Sequence, residues 1–188
     1  MANKVVFGLE NVHVGTYTVD SSTGTVTMGT PLHIAGAVNM SLESDSEESV
    51  FWADNVKYYT TYSDNGMTGE LEMAMFPDTF KTQFLNYVEI ANGGLAQVKG
   101  QQNRDVYIAF EAAGDAEHRR CILYNVALGA ITREYATTTE TKEPQTATLP
   151  FTVSGDNATG IVRAEYPQTA AGYNTLFTNP PAPSLDTD

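Results

Sequence analysis

Apolar and polar residues alternate in short runs along much of the chain, as expected for strands with one buried face. From Ile34 the apolar set Ile34, Val38, Met40 and Leu42 interleaves with Ala35, Ala37, Asn39, Ser41 and Glu43, with Gly36 marking a bulge or a close backbone approach. Residues 56–62, VKYYTTY, are aromatic and β-branched, and they run through Ser63-Asp64-Asn65-Gly66 into Thr68-Gly69-Glu70-Leu71-Glu72-Met73. Asn-Gly tolerates the positive φ angles of a type I′ turn, so a β-hairpin turning at Asn65-Gly66 is predicted. In its second arm Glu70 and Glu72 share one face, and Leu71, Met73 and Met75 the other. Further strands are predicted around 105–112, 119–128, 147–153 and 160–166.

Only residues 77–88 read as helix. Phe80, Phe84, Leu85 and Val88 recur at helical spacing, Pro77 suits a helix start, and Asn92-Gly93-Gly94 can end the segment. After Tyr166 the composition shifts to Pro180-Pro181-Ala182-Pro183 and an acidic end, giving a β domain over 1–166 and a flexible or extended C-terminal tail over 167–188. A chain of 188 residues fits this one-domain reading.

Charge narrows the function. There are 23 acids against 10 bases, a formal net charge of −13, so the surface repels other polyanions and sequence-reading nucleic-acid binding is not expected. The one cysteine, Cys121, excludes an intrachain disulfide framework. The N-terminal apolar run is too short for a signal peptide, and no stretch approaches a membrane span, so a soluble, unexported protein with no membrane partner is expected.

Candidate chemistry is sparse. His13, His33 and His118 lie far apart, without ligand spacing, and read as surface or strand-end residues. Cys121 sits in the apolar run Cys121-Ile122-Leu123-Tyr124, where a thiol acts as a small hydrophobe. No nucleophile elbow or phosphate-cradling glycine motif occurs. The run Glu43-Ser44-Asp45-Ser46-Glu47-Glu48 lacks the glycine and spacing of a calcium loop and reads as a solvated acidic loop. Glu70 and Glu72 have the spacing of any polar strand face, and Trp52 suits either an interface or the core. No enzyme, metal site or cofactor is expected.

From Asn3 to about Arg163 the order of several blocks resembles the major tail proteins of siphophages infecting Gram-positive bacteria. The blocks are Phe7-Gly8-Leu9-Glu10-Asn11-Val12-His13; Pro31-Leu32-His33-Ile34-Ala35-Gly36-Ala37-Val38; Phe51-Trp52-Ala53-Asp54-Asn55-Val56-Lys57-Tyr58-Tyr59; Asn65-Gly66 with Gly69-Glu70-Leu71-Glu72; the Pro77-Asp78-x-Phe80 helix start; Arg119-Arg120-Cys121-Ile122-Leu123-Tyr124-Asn125; and Thr141-Lys142-Glu143 before Thr146-x-Thr148-Leu149-x-Phe151. Phe84-Leu85-Asn86-Tyr87 departs from the pattern, standing where the family has a Leu-Gly helix ending.

The resemblance implies a mainly β tail-tube fold: two packed antiparallel sheets in a sandwich or small barrel, flanked by one α-helix near residues 77–88. It implies hexameric rings stacked into a virion tail tube, assembled in the host cytoplasm. The implied partners are further copies of the chain, a tape-measure protein, a tail terminator and distal tail proteins, with double-stranded DNA passing without specific binding. On that reading Asn39, Ser41, Glu43, Glu70 and Glu72 are candidate lumen-facing residues. Asp45, Glu47, Glu48, Trp52, Asp54 and Asn55, in a loop over 43–55, are candidate inter-subunit contacts together with the tail after Pro167. The rival reading is a β-sandwich carbohydrate- or receptor-binding or decoration module, with Trp52, Tyr58, Tyr59 and Tyr62 as its platform.

Overall fold

A computed structural model describes residues 8–115, 117–137 and 145–185. Block Thr141-Lys142-Glu143, Phe7 of the opening block and the acidic end at 186–188 lie outside these residues. The architecture is mainly β. In chain order the strands are β1 (Leu9–Val19), β2 (Val26–Met28), β3 (Leu32–His33), β4 (Ala37–Ala53), β5 (Val56–Met73), β6 (Val88–Ile90), β7 (Gly94–Ala96), β8 (Val106–Ala112), β9 (Arg120–Leu128), β10 (Thr132–Arg133), β11 (Ala147–Val153) and β12 (Arg163–Tyr166), with one helix, α1 (Asp78–Phe84), between β5 and β6. A large antiparallel sheet runs in the order β2-β1-β8-β9-β11-β5-β4, and β6 and β7 form a small second sheet.

Alternation decides what each strand buries. In β8, Val106 and Ile108 join one apolar core while Tyr107 and Ala109 join another, and in β9 Leu123 and Val126 are divided in the same way from Ile122 and Tyr124. These central strands are therefore buried on both faces. The larger core takes Leu71 and Met73 from β5, Leu149, Phe151 and Val153 from β11, and Phe80 and Phe84 from α1. The smaller core is closed by the C-terminal segment: Leu176 is fully buried in it and Tyr173 is buried. Arg120 holds the segment in place, donating from Nη1 to the Tyr173 carbonyl at 2.7 Å, with its guanidinium 4.0 Å from the Tyr173 ring and 4.4 Å from that of Phe177. Tyr173, Leu176 and Phe177 thus pack on the body of their own subunit, because the outer face of β8 and β9 is apolar and needs a cover.

Four local expectations change. The helix ends at Phe84, before the predicted 88, because Asn86 turns left-handed at φ 52 and the N–H groups of Leu85 and Tyr87 both bond the Lys81 carbonyl. Val88 then lies exposed in β6, and Asn92-Gly93 turns β6 into β7. No hairpin turns at Asn65-Gly66: β5 runs straight through, with Gly66 at φ 103 in a bulge where the register with β4 shifts between Ser44 and Ser46. Val38 and Met75 are exposed, since a register shift between Ala37 and Asn39 turns Val38 away from the core and β5 stops at Met73.

One polar group is built into the smaller core. Asp156, 3% exposed, accepts from Tyr17 Oη at 2.7 Å and from the amide and hydroxyl of Thr159, both at 2.7 Å. Burial works against its charge, but these hydrogen bonds prevail and hold the carboxyl below its ordinary range. Such a group stabilises the fold above the ordinary carboxylate pKa, and that stability is lost as pH falls through the depressed value. Tyr17→Phe is expected to cost about 1–3 kcal/mol at neutral pH and to flatten the acid limb of stability. Urea midpoints measured from neutral pH to about pH 3 check both effects.

Candidate assembly surfaces

The antiparallel register places the candidate lumen residues on one sheet face. Asn39 pairs with Glu72, Ser41 with Glu70 and Glu43 with Thr68 across β4 and β5; Thr148, Pro150 and Thr152 of β11 continue the same rows. Residues paired directly across a ladder project to the same side. Their alternating neighbours Leu71, Met73, Leu149 and Phe151 fill the core beneath. Glu43 and Glu70 line a shallow groove in this face with Thr68, Gly129, Pro150 and Thr152. Glu72 accepts from the Thr146 hydroxyl, which fixes its carboxylate across the strand gap. The ladder rows of this face therefore hold three glutamates and no lysine or arginine.

The second surface was not legible as such. The segment over 43–55, expected as an acidic loop, is strand: β4 and β5 remain paired to Ala53–Val56, where Asp54 (φ 52) and Asn55 (φ 63) make the tight turn. Two successive positive φ angles form a turn whose twist suits a two-residue hairpin, and Asx residues tolerate it. β11 pairs with β5 only from Met67 to Met73, so residues 45–66 extend past the body as a two-stranded arm about 25 Å long. Asp54-Asn55 lies between two β-rich runs and is as turn-competent as Asn65-Gly66, and local alternation does not choose between the two pairs.

Aromatic side chains occupy both faces of this arm. Glu48 pairs with Tyr62 and Trp52 with Lys57 on one face; Phe51 pairs with Tyr59 on the other. The Lys57 ammonium lies 3.6 Å from the Glu48 carboxylate and 6.0 Å from the Trp52 ring, consistent with that assignment. Trp52 is 59% exposed, Phe51 61% and Tyr58 72%. The alternative of a core position for Trp52 is thereby excluded. Asp45, Glu47, Glu48, Asp54 and Asn55 are likewise exposed. A two-stranded ribbon alone is marginal in water, and among the described residues nothing covers the faces or edges of this one.

Residues considered for chemistry are engaged in packing. His13 and His33, twenty positions apart, come together with ring centroids 4.8 Å apart, because β1 pairs with β3 at these residues. His13 Nδ1 donates to the Asn11 carbonyl at 2.7 Å, and its ring stacks on Phe177 at 4.4 Å. Burial, and to a smaller degree His33 and Arg120, lower its pKa against that hydrogen bond. Among the described residues no group of three or more His, Cys, Asp or Glu is placed to hold a metal, and no helix is long and apolar enough to cross a membrane. Burial, with Glu165 nearby, pushes the Cys121 thiol up to about 11, the opposite of nucleophile activation. Cys121 is expected to resist iodoacetamide at about pH 8 in the native protein and to react readily in denaturant; fast native alkylation would contradict the packing described.

No protein-family model matches the sequence, and none of the curated proteins matches it significantly. Similarity appears in the fold. A chain of the PVC sheath–tube complex, an extracellular contractile injection system in its extended state, superposes with a TM-score of 0.50 at 9% identity, over 87% of this chain and 93% of that one. The anti-feeding prophage cap, a tube-terminating cap, superposes with a TM-score of 0.53 at 9% identity, over 89% of this chain and 95% of that one. The chain therefore has a tail-tube-like fold along nearly its whole length.

Proposed function

We propose that this chain is a structural virion protein: the major tail protein of a siphophage infecting a Gram-positive host, polymerising as stacked hexameric rings into the tube through which the genome passes during ejection. The fold supports a tube component. The non-contractile tail and the Gram-positive host rest on the order of sequence blocks. The observation that carries the reading is the pairing of glutamate-bearing ladder rows across β4, β5 and β11, which hold no lysine or arginine, with a protruding aromatic arm on β4 and β5.

Turned to the lumen, Asn39, Ser41, Glu43, Glu70 and Glu72 present a wall of the same sign as DNA. Repulsion within a Debye length of about 8 Å then permits transit without adhesion. The arm, with Asp45, Glu47, Glu48, Trp52, Asp54 and Asn55, reaches a neighbouring subunit, and ring closure gives the sheet edges partners. Assembly takes place in the host cytoplasm, with a tape-measure protein, a tail terminator and distal tail proteins as further partners. As a glycan platform the aromatics are poorly arranged, since they are divided between opposite faces of a two-stranded ribbon.

Negative-stain electron microscopy of the purified protein over a concentration series tests the proposal. Hollow tubes with six-fold end views are expected. Discrete particles at every concentration, coupled with a fluorescence response to a glycan panel, would overturn it in favour of a binding module.

A further inference from the structure

The arm has a counterpart elsewhere on the same chain. Helix α1, the β6–β7 hairpin and residues 97–104 form one contiguous corner: the Arg104 amide bonds the Phe84 carbonyl at 3.0 Å, and Asn86 Nδ2 donates to the Gln102 carbonyl at 2.5 Å. Tyr87 Oη donates to Gln97 Oε1 at 3.1 Å. This corner exposes the apolar side chains of Val88, Ile90 and Val98. It is also basic within an acidic protein. From 78 to 104 there are three bases, Lys81, Lys99 and Arg104, and two acids, Asp78 and Glu89; Lys81 is paired with Asp78 at 2.7 Å, which leaves Lys99 and Arg104, both exposed, against Glu89. The arm is the reverse: from 45 to 65 it carries five acids, Asp45, Glu47, Glu48, Asp54 and Asp64, and one base, Lys57.

We propose that the arm of one copy docks on the α1/β6–β7 corner of a second copy, its aromatic side chains against Val88, Ile90 and Val98 and its carboxylates against Lys99 and Arg104. This inference rests on the tube reading and names the receptor which that reading leaves open. Two different, complementary patches on one chain make a head-to-tail contact, which propagates into rings or stacks instead of closing as a two-fold dimer. The charge pairing also selects register, since like-charged juxtapositions are disfavoured.

Charge exchange tests it. Lys99→Glu with Arg104→Glu, and separately Asp45→Arg with Glu47→Arg, are each expected to raise the concentration needed for polymer by about tenfold or more, and combining all four in one chain is expected to restore assembly. All four residues are exposed, so circular dichroism and melting temperature should stay at wild-type values. As a second measurement, Trp52→Cys mixed with Val98→Cys, both in a Cys121→Ala background, should give an oxidised heterodimer. Loss of assembly in the arm variant alone, with no rescue and no cross-link, would overturn this docking site and leave the tube reading standing. A wild-type chain that stays monomeric at every concentration would overturn both.

Discussion

Replacing Phe51 and Trp52 together by serine is expected to abolish tube formation while leaving a folded monomer. Neither side chain joins a core of its own subunit: both project from the arm, on opposite faces, beyond the last residue that β11 pairs. Their removal therefore costs the fold almost nothing. In the proposed assembly they would be buried as aromatic anchors, and truncating an anchor of this kind costs about 2 kcal/mol or more per contact. That corresponds to roughly thirtyfold in the concentration at which polymer appears, for each residue. Because the two rings face opposite ways, each single variant should show part of the defect; a defect confined to one would mean that only one face of the arm is covered. Sedimentation over a concentration series, with melting temperature as the control for folding, measures the effect. Wild-type tubes from the double variant would remove the arm from any account of assembly.

The second large effect is expected at Gly66, where arm and body meet. Its φ of 103 lies in the region that side chains rarely adopt, and a Cβ built on it would come within 2.1 Å of the Val153 carbonyl oxygen. Val153 is the last residue of β11 paired to β5, opposite Met67. Alanine at 66 must therefore distort the bulge or pull β11 off the end of its ladder, and Val153 is fully buried in the larger core. Backbone strain and lost core packing together suggest a loss of about 3 kcal/mol or more. Gly93→Ala is the control, since that glycine also has positive φ, 80, but its Cβ meets nothing within 4 Å; its cost is expected to be about 1 kcal/mol. Equal denaturation midpoints for the two variants would show that the contact with Val153 is not what holds Gly66.

Both effects arise from long-range pairing, which also separates what was legible from what was not. The alternation over 147–153 predicts β11 to the residue, and the co-facial set Glu70 and Glu72 against Leu71 and Met73 follows from period two alone. The start of α1 was carried by Pro77 and the spacing of Phe80 and Phe84. At Val38 and Met75 the same reasoning failed, because a register shift and a strand end are set by the partner strand and leave no mark on local alternation. β1, interrupted by Asn11 at φ 54 and Gly15, has too broken a pattern to stand out. Its place is secured by pairing with β8, nearly a hundred residues away.

By itself, then, the sequence determined a mainly β chain with one helix, its acidic balance, the separate polar strand faces of Asn39, Ser41 and Glu43 and of Glu70 and Glu72, and the order of blocks that suggests a tail tube. These are properties of neighbouring residues or of composition. Tertiary structure decided which of two turn-competent pairs, Asp54-Asn55 or Asn65-Gly66, reverses the chain; it joined His13 to His33 and folded Leu176 and Phe177 onto β8 and β9. An Asn-Gly pair fits a hairpin turn or a bulge equally well, and the choice falls to whichever ladder its flanking strands can extend. Here β4 pairs with β5 on both sides of Gly66, so the glycine bends a continuous strand and the aromatic arm exists.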